Sequence, residues 1–117
     1  MTRLQTADLV QPMRIFRLNG DVFEQVNEGE LQTLLADPTN ILWIDMQGPT
    51  PYHQSVMRDI FRFHHLAIED TLNGRQRPKV EEYDGYTFII INTIARAADE
   101  SRSIEFEEID IFLGSNY

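Results

Sequence analysis

Cysteine is absent from this 117-residue chain, which rules out a disulfide framework, a thiolate zinc site and a cysteine nucleophile, and fits a reducing compartment. Positive charge is scarce: 10 Lys and Arg stand against 19 Asp and Glu, a formal charge of -9. Such a balance argues against nucleic acid as a partner, because non-specific binding needs a positive field to release counterions. Divalent cations suit it better. Long apolar runs are missing as well. No stretch approaches the roughly 18 to 20 residues of a membrane span, and residues 1–12 hold only Leu9 and Val10 where a signal peptide needs an apolar centre. The polypeptide therefore reads as soluble and non-spanning, with no repeat or low-complexity segment.

What is present is enough for one ordinary core: 42% apolar and 10% aromatic residues. Residues 1–12 lack periodicity and read as a flexible arm, leaving 13–117 as the domain. Met13 to Leu18 and Asp21 to Val26 flank Asn19-Gly20, a type I′ hairpin signal. Asn27 is an N-cap, with Glu30 placed to complete a capping box; Leu31, Leu34 and Leu35 mark one face of a short helix that stops before Pro38. Ile41-Leu-Trp-Ile44 is uniformly apolar and reads as a central strand covered on both faces. Thr50-Pro51 opens a second helix running to about Arg62, with Tyr52, Val56, Ile60 and Phe63 at helical spacing.

A third helix, centred on Leu66 to Leu72, closes at Gly74, and Pro78 forces an extended exit. Strands at Lys79 to Tyr83 and Tyr86 to Ile94 flank Asp84-Gly85, a second type I′ signal. Ala95 to Ser103 reads as a polar, mobile connection. In Ile104 to Leu113 the apolar alternation changes phase, which a bulge near Glu107-Glu108 would reconcile. Trp43, Tyr52 and the phenylalanines read as core. After Gly114-Ser-Asn116 a returning strand is due, so the chain reads as a piece of something larger. The order ββαβααβββ makes an α/β or α+β sheet with helices on both faces, and the covered strand favours three layers.

Chemistry concentrates between His64 and Glu82. Glu69 and Asp70 are adjacent on a helix and point about 100° apart, so one chain cannot easily chelate an ion with both. They are either a solvated helix face or part of a site for a hard cation, completed from elsewhere. His64 and His65 diverge in the same way and lack a serine or cysteine partner, which favours a capping role over catalysis. Arg75, Arg77 and Lys79 alternate on an extended segment; they either grip an anion or pair with neighbouring acids such as Glu81 and Glu82.

Three spaced motifs carry a resemblance: Trp43-Ile-Asp-Met-Gln-Gly48, His64 to Asp70 as His-x-Leu-Ala-Ile-Glu-Asp, and Asn73-x-x-Gln-Arg-Pro-Lys-Val-Glu81. With Phe-Leu-Gly-Ser-Asn-Tyr at 112–117, they resemble the N-terminal cytoplasmic domain of CorA-family divalent cation transporters. The resemblance implies a three-layer αβα sandwich with a mixed, largely antiparallel sheet and helices on both faces. It also implies a larger parent, with long helices, two membrane spans and a Gly-Met-Asn signature absent here, working as a homopentamer with this domain at the cytoplasmic face of the inner membrane. By the motif, regulatory Mg2+ between protomers falls to Asp70, with Glu69 as helper. No catalytic residue is implied and the protein is not expected to be an enzyme. Where the family commonly has proline after the motif histidine, His65 stands, which leaves Co2+ or Zn2+ open and a ZntB-like zinc transporter as an alternative. A free-standing cation-binding or interaction module is the other.

Overall fold

The computed structural model describes residues 13–96 and 104–117. Its elements are β1 (Arg14–Asn19), β2 (Val22–Val26), a 3-10 turn (Glu28–Glu30), α1 (Leu31–Ala36), β3 (Leu42–Asp45), α2 (Pro51–Ser55) continuing as a π-helical turn (Val56–Ile60), α3 (His65–Asn73), β4 (Lys79–Tyr83), β5 (Tyr86–Arg96) and β6 (Ile104–Gly114). The α/β class and the element order match the sequence. The arm expected at 1–12 and most of the connection expected at 95–103 lie outside the described residues, although β5 continues to Arg96. Two compact units result, residues 13–63 with 115–117 and His64–Gly114. Where one mixed sheet is expected, the described strands form two sheets, β2-β1-β3 and β4-β5-β6, paired antiparallel throughout.

In the first unit Asn19 pairs with Val22, so the turn residues are Gly20 and Asp21, one position later than expected. Positive φ occurs at Gly20 (68°) and not at Asp21, the type II′ pattern. β3 borders β1, and on its other side the Leu42 N–H donates to the Asn116 carbonyl at 2.9 Å. The central strand is thus β1. Alternation places Met13, Ile15 and Leu42 on the core face, where they meet Leu31, Leu34 and Val56. Trp43 faces the other way and is 63% exposed, edge-on to Phe23 at 6.5 Å. An unbroken apolar run conceals that alternation, so sequence alone points Trp43 into the core. Tyr52 and Phe106 are also exposed, contrary to expectation.

Asn27 caps the 3-10 turn through Gly29 N–H (2.7 Å), not Glu30, so the expected capping box does not form there. One does form at Thr50: its Oγ1 accepts from the His53 N–H while His53 Nδ1 accepts from the Thr50 N–H, both 3.2 Å. His53 is fully buried. The second helix loosens after Ser55, where Phe61 N–H reaches back five residues to the Val56 carbonyl (3.1 Å), and Arg62 with φ of 59° ends it. Phe61 and Phe63 stack at 5.1 Å, with the Tyr117 ring 5.0 Å from Phe61.

In the second unit, Ala67 of α3 packs with Phe88 and Ile90 of β5, flanked by Tyr83, Tyr86 and Phe112. The β5–β6 register runs unbroken from Tyr86↔Gly114 to Arg96↔Ile104, so the bulge expected near Glu107-Glu108 is absent. The phase change is instead taken up by the faces. Ile104, Phe106, Glu108, Asp110 and Phe112 share one side of β6, whereas Ile109, Ile111 and Leu113 lie on the other. The Asp84-Gly85 turn sits where expected, but positive φ occurs at Gly85 alone (85°), which is not the type I′ geometry.

Candidate functional site

The second unit is built around the start and end of α3. His64 sits in extended conformation as the N-cap, and its Nδ1 accepts from the Leu66 N–H at 3.1 Å. An imidazole nitrogen thereby does the work usually given to Ser or Asp. The His64 N–H donates to the Tyr86 hydroxyl (2.8 Å), while its ring stacks on His65 at 4.5 Å and lies 5.3 Å from Tyr83. His64 is therefore a capping residue, and His65 fills the first helical position, the place a proline favours.

At the other end, α3 closes on Gly74, whose N–H donates to the Asp70 carbonyl at 3.1 Å. With φ of 63° and ψ of -179°, Gly74 occupies backbone space reserved for glycine, and Arg75 follows with φ of 56°. The chain reverses abruptly and brings β4 back to the helix. Lys79, the first residue of β4, thus meets the last turn of α3: Nζ lies 2.5 Å from Asp70 Oδ2 and 3.1 Å from Glu81 Oε1. The ammonium also stands 5.9 Å from the centre of the buried Phe88 ring. The hydrogen bond to Asp70, then that to Glu81, raises the Lys79 pKa. Arg75 and Arg77 are exposed, and the turn at Arg75 breaks the alternation that would align all three cations.

Glu69 and Asp70 stand as the helical geometry requires, Glu69 exposed and Asp70 half-buried against Lys79. A second pair of carboxylates lies on the inner face of β6. Asp110 and Glu108 face the same way as Lys79 and Glu81, because Asp110 opposes Ile90 and Glu108 opposes Asn92 in register. Glu108 Oε1 accepts from the Gln76 N–H at 2.7 Å. Asp110 Oδ1 is buried without a hydrogen-bond partner among the described residues. Burial, then hydrogen bonding to Glu108 and the charges of Glu108 and Asp70, pushes the Asp110 carboxyl up to about 7. Its signal was an ionisable residue at an inward position between Ile109 and Ile111, visible only once the register is known.

These oxygen donors suit a hard cation. Among the described residues, however, no three His, Asp or Glu side chains converge as a closed metal site requires. Nor, among those residues, is any helix long and apolar enough to cross a membrane.

Residues 39–117 match the family model described as CorA-like Mg2+ transporter protein. The chain belongs to the CorA family. Relatives place the same segment in longer proteins. It is 41% identical over 75 residues to the metal ion transporter YfjQ of Bacillus subtilis, covering 64% of this chain and 22% of that one. It is 30% identical over 98 residues to the cobalt/magnesium transport protein CorA of Thermotoga maritima, covering 80% of this chain and 27% of that protein. The chain thus spans about a quarter of the length of these curated relatives. Within the CorA-matched segment fall α3, the Gly74 reversal, Lys79 and both carboxylate pairs.

Proposed function

We propose that this chain is the cytoplasmic regulatory domain of a CorA-type divalent cation transporter and senses Mg2+ through Asp70. The observation that carries the proposal is the presentation of Asp70: a half-buried carboxylate in the last turn of α3, inside the family segment, with Glu69 exposed beside it. An ion there gains one fixed carboxylate from this unit and neutralises charge in a chain of net -9. Asp70 would hold it directly, with Glu69 as the adjacent helper, and the remaining ligands would be water and a carboxylate from a neighbouring protomer of a homopentamer. A shared site of this kind couples ion occupancy to subunit arrangement, because the ion binds well only when both halves are close. Transport of Mg2+ or Co2+ follows the names of the relatives; Zn2+ is the alternative cargo that His65 raises.

The same proposal extends to architecture. The outer face of the β2-β1-β3 sheet keeps Phe23, Ile41 and Trp43 exposed while its inner face carries the core, as expected of the middle layer of an αβα sandwich.

Proteolysis of the whole transporter tests the sensing role. Mg2+ should protect the wild-type protein and protect Asp70→Ala at least tenfold less well in half-protecting concentration, about 1.4 kcal/mol of lost binding. Equal protection of the two proteins removes Asp70 from the mechanism.

A further inference from the structure

Lys79 holds the Asp70 carboxylate as a metal ion would, and it has somewhere else to go. Its Nζ lies 2.5 Å from Asp70 Oδ2 and 3.1 Å from Glu81 Oε1 at once, on a stem that is neither fully buried nor free, with the side chain 32% exposed. Lysine suits such exchange: its ammonium is a compact charge on a flexible stem, without the rigid fork that would fasten arginine to one carboxylate. We propose that Lys79 is a tethered competitor for divalent cations at Asp70, which yields the carboxylate by shifting onto Glu81.

The proposal rests on Asp70 being a cation ligand, and three features of the site support the exchange. The Gly74 reversal fixes the base of β4 beside α3, so the lysine is held at high local concentration whatever the state of the site. Glu81 lies two residues along β4 on the same face, so the ammonium keeps a charged partner after leaving Asp70 and is not stranded against the Phe88 ring. Finally, an acidic unit without the lysine would present Asp70, Glu81 and Glu108 unneutralised around one inner face. A resident cation holds that face together when no divalent ion is bound, and sets the concentration above which an ion displaces it. The lysine is thus a threshold-setting residue, not a ligand.

A Mg2+ titration of the whole transporter, in which the neighbouring protomer can complete the site, followed by the carbon resonance of the Asp70 carboxylate, tests this directly. Lys79→Gln should lower the half-saturating Mg2+ concentration roughly three- to tenfold. Lys79→Arg, which keeps a cation at Asp70, should not lower it. Glu81→Gln, which removes the second acceptor, should raise it. Arg77→Gln removes the same unit of charge from an exposed side chain and should change it less than twofold. An equal gain from Arg77→Gln and Lys79→Gln would mean that net charge, not competition, is responsible, and would overturn the proposal. Wild-type protein gives a reading independent of whether the variants fold: the Lys79 ammonium resonance should move with the same midpoint as the Asp70 carboxylate. If Asp70 responds to Mg2+ while Lys79 does not, the competitor role falls and the ligand role of Asp70 stands. If neither responds, Asp70 is not a cation ligand in this chain and both readings fall.

Discussion

At the scale of single residues, the inner face of β6 holds the most informative group. Asp110 is carried to about 7 from an ordinary value of 3.8, chiefly by burial and then by Glu108. Because the folded value is raised, ionisation works against the folded state. The contribution of Asp110 to stability is fully present below about pH 4 and is lost as pH rises through about 7. Other carboxylates impose their own pH dependence, so the measurable quantity is the difference between wild type and Asp110→Asn. That variant should melt higher than wild type at about pH 8, on the order of 4 °C after allowance for its partial exposure to water, with the gap closing towards about pH 4. Thermal melts across this range check it, and a gap independent of pH would show that Asp110 ionises normally. Neither Asp110 nor Glu108 announced itself in the sequence. Each is one acid in a strand with several, and what distinguishes them is the cross-strand register with β5, a non-local fact. His53 is hidden differently: it stands where a capping box usually has Glu or Gln, so only the Thr50-Pro51 signal before it is legible.

At the scale of elements, the reversal after α3 decides what meets Asp70. An added Cβ at Gly74 would find no atom within 4 Å, so the cost of Gly74→Ala is backbone conformation alone, about 1–3 kcal/mol. The melting temperature should fall accordingly, and the Lys79 ammonium signal should broaden as β4 loses its fixed approach. An unchanged melt would show that the reversal tolerates a side chain. Elements of this kind were legible in the sequence because their signals are local: apolar periodicity, Pro51 at a helix start, Gly74 at a helix end and Asp84-Gly85 between strands all lie where they act. Less local features are not legible in this way. Asn19 joined β1 and passed the turn to Gly20-Asp21, since the pairing Asn19↔Val22 outweighs the Asn-Gly preference. The phase change in β6 points to a bulge only if all its apolar residues share one face; the continuous ladder with β5 instead turns Ile104 and Phe106 away from Ile109 and Ile111. Trp43 looked internal for a similar reason, an apolar run being uninformative about which side is covered.

At the scale of the whole molecule, the two units differ in how the chain supplies them. His64–Gly114 is continuous, while the first unit is finished by residues 115–117. Those last residues do several jobs. The Asn116 carbonyl accepts from Leu42 N–H, its side-chain amide donates to the Leu35 carbonyl at 3.3 Å behind α1, and Tyr117 packs against Phe61 and Phe63. Removing residues 115–117 should cost the first unit about 2–4 kcal/mol, from one partly buried aromatic and its hydrogen bonds. Hydrogen exchange offers a localised check: the Leu42 amide should lose protection while amides in the β4–β5 ladder keep theirs. Uniform loss across both units would mean that they unfold together.

The same three residues impose an order on synthesis. As the chain leaves the ribosome, β1, β2, α1, β3 and α2 emerge early, yet the edge of β3 waits with the Leu42 amide unclaimed. His64–Gly114 must be made in full before Asn116 and Tyr117 arrive to close the first unit. The half translated first is therefore completed last, and the inserted half is free to fold ahead of its host.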